Sequence, residues 1–251
     1  MKNKKVYSLI SFILLIMLWW FISAIVKKDF IPNPYESLIG FFEIFETENL
    51  VQNFLISLYR IFVSFLISLL IALPLGVAMG RIRWMDSFFS PIVNMLYPIP
   101  KIVFLPIFVV FLGLGNAPKI LIISLIVFFQ ILVIIRDGVK KIPESYFLSF
   151  RTMSQSNVGL IFHVILPAIV PDIITSLRVS VGSAIAVLFF AETFAAQDGL
   201  GYVILDTMEA RNYNQMYGGI IAMSILGISI YELLSMVERK ITGKNKSKKS
   251  S

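Results

Sequence analysis

Long runs of apolar residues without a single charge constrain this chain more than any other feature. Val6 to Val26 is a run of 21 residues with no charged side chain, and Ile61 to Gly80 adds another run of 20. A helix rises 1.5 Å per residue, so about 20 apolar residues cross the hydrocarbon layer of a bilayer. Charged residues make up only 15% of the 251 residues, against roughly 25% in soluble domains. The chain is therefore predicted to be a helical membrane protein.

Six apolar segments predict six transmembrane helices. The third contains Lys101 and four prolines, a composition that predicts a bent or broken helix. The segment from Thr152 to Pro171 is also uncharged, but its apolar residues follow a one-sided helical spacing, which predicts a helix lying against a surface and not a seventh span. The predicted spans are Val6–Val26, Ile61–Gly80 with a start near Phe54, Ser87–Leu112, Ile120–Ile135, Ile169–Ala191 and Asn212–Tyr231.

The distribution of Lys and Arg orients these spans, because cytoplasmic loops collect positive residues. With both termini inside, fifteen basic residues lie in the cytoplasm and four lie outside among eight acids. We therefore predict a multi-pass protein of the cell membrane with both termini cytoplasmic. The outer charges would be Lys27, Lys28, Lys119 and Arg211 with Asp29, Glu36, Glu43, Glu46, Glu48, Asp198, Asp206 and Glu209.

Two outer segments suggest different structures. Between Lys27 and Asn53, apolar residues recur at helical spacing after two prolines, which fits an interfacial helix or a simple packed connector. Between Gln197 and Asn212, Gly199-Leu200-Gly201 follows no predicted strand and completes no G-x-G-x-x-G, so we predict a tight turn re-entering the bundle and not a phosphate cradle. The sequence also lacks G-x-x-x-x-G-K-S/T, so the chain is not its own P-loop ATPase.

The predicted cytoplasmic stretch from Arg136 to Pro167 is long for a connection between neighbouring helices. Pro143 followed by Glu144 indicates a helix start. We predict a helical hairpin: Pro143 to Met153, a polar turn, then Val158 to Ile165, ended by Pro167. Its aromatic face would suit docking, although a connector resting on the membrane is the alternative. That face would consist of Tyr146, Phe147, Phe150 and Phe162.

Cysteine is absent and His163 is the only histidine. Disulfides, thiolate metal sites and Cys/His nucleophilic catalysis are therefore not available to this chain. The net charge of +7 reflects basic residues in the predicted cytoplasmic loops, so it does not indicate a nucleic-acid partner.

Several short phrases resemble one protein family. They are Ser57-Leu58-Tyr59-Arg60, Pro98-Ile99-Pro100-Lys101, Leu112-Gly113-Leu114-Gly115, Ala191-Glu192 and Gly199-Leu200-Gly201-Tyr202. Spread over nearly the whole chain, they make it similar to the six-span permease subunits of ABC importers, in the branch that includes nitrate, sulfonate, taurine and thiamine-precursor systems. The resemblance implies an all-α, polytopic fold like that of type I ABC importer permeases, with six transmembrane helices and a cytoplasmic coupling hairpin.

The cytoplasmic signature of this family, the EAA loop, is matched only in its second half. Val164, Leu166 and Pro167 match its end, at the expected spacing from Ser154. Ser154 itself stands at the glycine position, and the Glu-Ala-Ala positions hold other residues. The resemblance implies that an ATPase docks on Leu148, Ser149, Phe150, Arg151, Ser154, Val164, Leu166 and Pro167.

The resemblance also implies a division of labour. Two permease copies, here a homodimer, would form the pore; a cytosolic pair of ABC ATPases would bind ATP and Mg²⁺; and an extracytoplasmic binding protein would deliver a small anion or a vitamin precursor. The chain itself would hold no cofactor, no metal and no catalytic residue. Residues 1–53 would form the first span and an outer loop, residues 54–240 the permease core with its hairpin at 143–167, and residues 241–251 a basic tail.

Ionisable residues within spans are costly, so each is a candidate functional residue. Lys101 would either attract an anion to the translocation path or bond carbonyls of the broken span. Arg178 would contact solute or, more simply, brace Asp172 or another chain. Glu192 would serve gating, a bond to the following loop, or solute contact.

Other classes of membrane protein remain as alternatives. A stand-alone secondary transporter would often show internally repeated halves and buried coupling carboxylates, and no such repeat is visible. An intramembrane enzyme would need a nucleophile and base, or a carboxylate pair, within the bilayer. A structural or receptor-like membrane protein is the third alternative.

Overall fold

The computed structural model describes residues 2–26, 30–194 and 196–248, and these contain helices and no strand. Lys27, Lys28, Asp29 and Lys249, which carry part of the predicted charge asymmetry, lie outside the described residues. The helices are α1 (Lys2–Val26), α2 (Pro34–Thr47), α3 (Leu50–Arg81), α4 (Arg83–Leu96), a 3₁₀ turn (Lys101–Phe104), α5 (Leu105–Leu112), α6 (Asn116–Lys140), α7 (Glu144–Met153), α8 (Asn157–Leu160), a π-helical turn (Ile161–Ile165), α9 (Leu166–Thr193), α10 (Leu200–Glu209) and α11 (Tyr213–Lys248).

Four helices of the described chain are long and apolar enough to cross a bilayer. They are Leu50–Arg81, Asn116–Lys140, Asn157–Thr193 and Tyr213–Ile241, and α4 with Lys101–Leu112 makes a fifth if the bent pair is one span. The apolar part of α1, Ile10–Val26, is shorter than the 18 residues required of a candidate span. The predicted all-helical, multi-pass fold is thus confirmed, and the count of six stays a prediction.

The predicted break in the third span is present. The axes of α4 and the following helical segment differ by 82°, and Pro98 and Pro100 stand in the connection between them. Each proline lacks an N–H group, and each also disfavours helical geometry in the residue before it. The chain therefore leaves the α-helix after Leu96 and resumes in the 3₁₀ turn.

The prediction that Pro167 ends the second hairpin helix is wrong. Asn157–Leu160 continues through the π-helical turn directly into α9, giving one helix of 37 residues. A proline can be kept in a helix where local π geometry rearranges the surrounding hydrogen bonds. At 1.5 Å per residue this helix is about 55 Å long, well beyond the thickness of the hydrocarbon layer, so part of it extends out of any bilayer.

The backbone forms two compact units. One comprises Met1–Ser57 and Glu192–Leu226, and the other comprises Leu58–Ala191 and Gly227–Ser251. The sequence-derived boundaries at residues 53 and 240 stay predictions.

In the first unit, α2 packs closely on the start of α11. Asn33 caps α2 and forms a capping box with Glu36, which fixes where the helix begins. A Cβ atom on Gly40 would lie 2.1 Å from the Asn214 carbonyl oxygen, and one on Gly218 would lie 2.6 Å from the Phe41 nitrogen. Only glycine permits this approach, so the helix predicted between Lys27 and Asn53 exists and is held against α11; its side of the membrane stays a prediction.

In the second unit, small residues let α3 and α6 approach closely. The Ser68 hydroxyl donates to the Ser124 carbonyl oxygen at 2.8 Å. The Ser124 hydroxyl donates to the Ser64 carbonyl oxygen at 3.3 Å. Further along the same face, a Cβ atom on Gly76 would lie 2.9 Å from the Ile135 side chain. Small residues and hydroxyl bonds are the usual means of joining helices in lipid, where apolar burial alone gives little attraction.

Candidate functional site

The first hairpin helix, α7, is attached to the end of α3 by Arg81. Its guanidinium group donates to both carboxylate oxygens of Glu144, at 3.0 and 3.2 Å. The same guanidinium lies 3.8 Å above the ring centre of Phe147, which is 2% exposed. The hydrogen bond from Arg81 lowers the pKa of Glu144 below its ordinary value. One arginine thus holds α7 through a bidentate ion pair and a cation–π contact.

The two arms of the hairpin meet at Phe150. Its ring stacks on His163, with ring centres 6.2 Å apart. A Cβ atom on Gly159 would lie 3.1 Å from the Phe150 ring, so glycine leaves room for the aromatic side chain. The Ser156 hydroxyl accepts a hydrogen bond from the Gly159 N–H and caps the second arm.

This packing corrects the predicted aromatic docking face. Phe147 is buried beneath Arg81 and Phe150 is half-buried between the arms, so of the four aromatic residues only Tyr146 and Phe162 are presented outward. Helical spacing could not show this, because the arginine that covers Phe147 comes from a distant segment. The exposed large apolar residues of the hairpin are Tyr146, Leu148, Met153, Val158, Ile161 and Phe162.

The predicted coupling residues are distributed over both arms. Three of the four on α7 are exposed, and the residues from the second arm are exposed or half-buried. Leu148, Ser149, Arg151 and Pro167 are exposed, and Phe150, Ser154, Val164 and Leu166 are half-buried. Their role in docking stays a prediction.

Lys101 lies at the break between α4 and α5 and is 9% exposed. Its ammonium group donates to the carbonyl oxygens of Leu96 and Tyr97, both at 2.9 Å, and of Ile99 at 3.3 Å. It also lies 4.6 Å from the ring centre of Phe129. An ammonium group has three N–H bonds, and all three have acceptors here. Of the two interpretations left open by the sequence, this geometry favours the carbonyl-bonded one.

Arg178 braces α11 and not Asp172. Its Nη1 donates to the Tyr231 hydroxyl at 3.1 Å, and its Nε lies 2.9 Å from Glu238 Oε2. The Nε–H group is poorly directed for a hydrogen bond, so its contact with Glu238 is an ion pair without a hydrogen bond from that nitrogen. Residues six apart lie on different faces of a helix, which is why Asp172 is not the partner; it lies against Gly138 of α6.

Glu192 is fully buried and bonds the segment that follows it. Its carboxylate accepts from the Ser57 hydroxyl at 2.8 and 2.9 Å and from the Gly201 N–H at 2.9 Å. The Leu200 N–H donates to the same Ser57 oxygen at 2.9 Å, and the Gly199 N–H donates to Asn53 Oδ1 at 2.7 Å. Three successive N–H groups at the start of α10 are thereby capped by three side chains. We name Asn53, Ser57 and Glu192 the α10 clamp.

The clamp shows what sequence inspection missed. Asn53 and Ser57 were not among the candidate residues, and the segment after Gly199 was predicted as a tight turn, although α10 is a helix of 10 residues. A signal was present, because three of the phrases that carry the resemblance contain Ser57, Glu192 and Gly199-Leu200-Gly201. Their meeting place could not be read from spacing alone.

Comparison with known proteins gives relatives that extend over most of the chain. It is 27% identical over 249 residues to "Taurine transport system permease protein TauC" of Escherichia coli, covering 96% of this chain and 90% of the relative. It is 28% identical over 229 residues to "Putative aliphatic sulfonates transport permease protein SsuC" of Bacillus subtilis, covering 90% and 83%. It is 24% identical over 258 residues to "Nitrate import permease protein NrtB" of Synechococcus elongatus, covering 96% and 92%.

Solved structures agree in fold. The chain is similar to one from the inward-facing MetNI methionine ABC transporter, with a TM-score of 0.66 and 21% identity over 76% of this chain and 95% of that one. It is also similar to a chain of an amino acid ABC transporter with histidines, with a TM-score of 0.57 and 18% identity over 80% and 98%. The predicted type I ABC importer permease fold is confirmed.

The family profile described as "Binding-protein-dependent transport system inner membrane component" matches residues 69–243. That match includes the broken span, the hairpin and α10, and it extends over well more than half of the chain. The protein therefore belongs to the family of binding-protein-dependent inner-membrane permeases of ABC importers.

Proposed function

We propose that this chain forms the transmembrane pathway of an ATP-driven importer, and that its hairpin transmits the movement of a separate ATPase to that pathway. The permease role follows from the family and from relatives that are permeases of such importers. The ATPase would bind the ATP and Mg²⁺, and a binding protein outside the membrane would deliver the solute. A second copy of this chain would complete the pore.

The observation that carries this proposal is an apolar hairpin surface on a firmly attached support. Met153 is 87% exposed and Phe162 is 62% exposed, although both belong to the part of the chain predicted to lie outside the bilayer. Exposed apolar residues that face water mark interaction surfaces. The surface departs from Glu-Ala-Ala, so the proposed ATPase carries a groove adapted to apolar side chains.

The attachment of both hairpin arms to long helices explains how a movement of the hairpin would be transmitted to the membrane-spanning part. On one arm, Arg81 connects α7 to the end of α3 through Glu144 and Phe147. On the other arm, the helix runs without interruption into α9. Movement of the hairpin would therefore be passed to two long apolar helices as rigid-body motion, the type of change that underlies alternating access.

We propose a small solute, of the kind named in the relatives: a taurine-like or sulfonate-like compound, nitrate, or the vitamin precursor that the family resemblance adds. Specificity would be shared with the binding protein, which first selects the solute.

The test is purification of the tagged full-length chain from its native membrane, followed by mass spectrometry of the proteins recovered with it. The wild type should recover an ATPase subunit with a P-loop, and a Met153→Ser, Phe162→Ser variant should lose at least several-fold of it. Met208→Ser is a matched control, because Met208 is an exposed methionine of α10. Unchanged recovery with the double variant would overturn the docking surface. A wild-type oligomer that recovers no ATPase, even after crosslinking, would favour a stand-alone transporter.

A further inference from the structure

The last part of α11 and the residues after it carry a high density of positive charge. From residue 239 to residue 251 there are six basic side chains and no acid. We name this segment the basic tail. Like charges at this density repel one another, so negative charge from elsewhere would stabilise the segment. Its basic residues are Arg239, Lys240, Lys244, Lys246, Lys248 and Lys249.

The two acids of α11 are already engaged with other groups. Glu232 accepts a hydrogen bond from Arg239 Nη2 at 3.2 Å, so it compensates one charge of the basic tail. Glu238 accepts from the Thr175 hydroxyl at 2.7 Å and lies 2.9 Å from Arg178 Nε, so it is directed to α9. The five lysines of the basic tail are therefore left without an acid of their own helix to compensate them.

The basic tail begins where α11 leaves its membrane-spanning part. The apolar stretch that could cross a bilayer ends at Ile241, and the helix continues to Lys248. With 36 residues, α11 is about 54 Å long and exceeds the hydrocarbon layer. Leu233, Met236 and Val237, just before the tail, are 59%, 56% and 40% exposed. A basic segment that directly follows such an apolar surface lies beside the lipid headgroups.

Charge and position together select anionic lipid as the partner. Basic clusters next to a membrane span attract anionic headgroups, and this attraction falls off within a Debye length of about 8 Å at physiological salt. Lys240 and Lys244 are about 6 Å apart along the helix, so the first part of the basic tail lies within that range. Ile241 is its only large apolar residue, so the tail has no apolar face to insert and the attraction is electrostatic.

The helical backbone of the tail supports the same partner. Gly243 is a poor helix former. Lys240, Lys244 and Lys248 recur at every fourth residue, the spacing at which like charges destabilise a helix. The backbone is nevertheless helical as far as Lys248. Anionic headgroups would remove the repulsion between the lysines and so stabilise the end of the helix.

We propose that the basic tail binds the anionic phospholipids of the adjacent membrane surface and thereby fixes the depth of α11 in the bilayer. Glu238 connects α11 to Thr175 and Arg178 of α9. A fixed end of α11 therefore also holds α9, the helix that continues into the second arm of the hairpin. The stability of this part of the protein depends on the content of anionic lipid. This attachment goes beyond the proposed transport function and is independent of the solute.

The absence of cysteine from the chain allows a single reporter to be placed in the tail. Ser250→Cys is labelled with bimane in the full-length chain with its recovered partners. The protein is placed in nanodiscs of phosphatidylcholine, alone or mixed with phosphatidylglycerol, each with the same small fraction of a lipid that carries a nitroxide quencher on its headgroup. We expect about twofold stronger quenching in the mixed nanodiscs, reversed by high salt. Equal quenching in both nanodiscs would overturn the proposal.

Two matched variants test whether charge causes the attachment. The glutamine variant combines Lys244→Gln, Lys246→Gln, Lys248→Gln and Lys249→Gln, and it should quench equally in both nanodiscs. The arginine variant changes the same four lysines to arginine and keeps the charge, so it should behave as the wild type does. An arginine variant that quenches equally in both nanodiscs, or a glutamine variant that keeps the wild-type difference, would overturn the electrostatic attraction.

Thermal unfolding of the detergent-purified chain, without partners, distinguishes lipid from an acidic protein surface as the occupant. Added phosphatidylglycerol should raise the transition temperature of the wild type by a few degrees relative to added phosphatidylcholine, because a ligand that binds the folded state stabilises it. The glutamine variant should show no such shift. If the wild type shows no shift and its quenching appears only with the recovered partners, the tail binds a protein and the proposal is overturned.

Discussion

Lys101 and Glu192 are opposite charges in a largely apolar chain, and each is bonded to main-chain groups at the end of a helix. Lys101 supplies donors to carbonyls released where α4 ends. Glu192 supplies an acceptor to an N–H group at the start of α10. Helix ends leave unpaired carbonyls at one terminus and unpaired N–H groups at the other, with the matching partial charges. Each charge has the sign that its helix end requires.

The two sites differ in how far apart their partners lie in sequence. Lys101 bonds carbonyls two to five residues away, so its site is formed by one short segment around Pro-Ile-Pro-Lys. Glu192 bonds Ser57, which is 135 residues away, so the clamp forms only when distant segments have packed. A local charge supports an irregular backbone, whereas a distant one also connects segments.

The largest effect is expected from Glu192→Ala. It leaves the Ser57 hydroxyl and the Gly201 N–H without their acceptor, and loss of a buried, charged partner should lower the free energy of unfolding by about 3 kcal/mol. Thermal unfolding of the detergent-purified chain measures the loss, and hydrogen exchange should rise in Leu200–Glu209. Glu192→Gln keeps an acceptor oxygen and should lose less. Equal stability of wild type and the alanine variant would show that the clamp is dispensable.

A smaller effect is expected from Lys101→Met. Three carbonyls lose their donor, which should cost about 2 kcal/mol, and Lys101→Arg, which keeps N–H donors, should recover part of it. The measurement is the same thermal transition, with solute uptake assayed in parallel. Unchanged stability with abolished uptake would instead assign Lys101 to solute contact.

Asn53→Ala should have a smaller effect still, since it removes one acceptor from the α10 clamp and leaves Ser57 and Glu192 in place. Loss of the bond to the Gly199 N–H should lower stability by about 1 kcal/mol. The double variant Asn53→Ala, Glu192→Ala tests whether the two residues act together. If they belong to one network, the stability lost by the double variant should differ from the sum of the two single losses. Strict additivity of the two changes would argue against a single clamp.

The smallest effect concerns the ion pair of half-buried Arg81 with exposed Glu144, in contrast to the buried charges. The pKa of Glu144 is lowered from 4.5, first by its hydrogen bond from Arg81. A carboxylate with a lowered folded pKa contributes stability above its unfolded pKa and loses it as the pH falls through the folded value. Attachment of α7 should therefore weaken as the pH falls below 4.5.

Limited proteolysis of the hairpin across that pH range measures the attachment of α7. Glu144→Gln should give a flat profile, and added salt should reduce the wild-type response because exposed charges are screened. Identical profiles for wild type and Glu144→Gln would assign the response to another group.

Much of the fold was predictable because it depends on short-range rules. The apolar runs predicted the long helices, the prolines around Lys101 predicted the break, and Pro143 with Glu144 placed the start of α7 to within one residue. The failures were also local in kind. Pro167 was expected to end a helix, but the π-helical turn before it accommodates a proline. Gly199 and Gly201 were interpreted as a turn and not as the start of a helix.

The candidate site was less predictable, because its chemistry depends on pairings between distant segments. Arg178 was expected to contact solute or to brace Asp172 or another chain, but its partner Glu238 stands 60 residues away in the same chain. The burial of Phe147 depends on Arg81, which stands 66 positions earlier. No spacing rule within one helix reports on such neighbours.

The amino-acid sequence by itself determined that this protein is a helical membrane permease, since the apolar runs require a bilayer and several short phrases carry the family resemblance confirmed by the match over residues 69–243. Only the tertiary structure decided which side chains satisfy which helix ends. The reason is physical: hydrophobicity acts on each segment separately, whereas a hydrogen bond requires a donor and an acceptor within about 3 Å. The folded backbone sets that distance, and in this protein it lets Lys101 support the broken span and brings Glu192 to Ser57 in the α10 clamp.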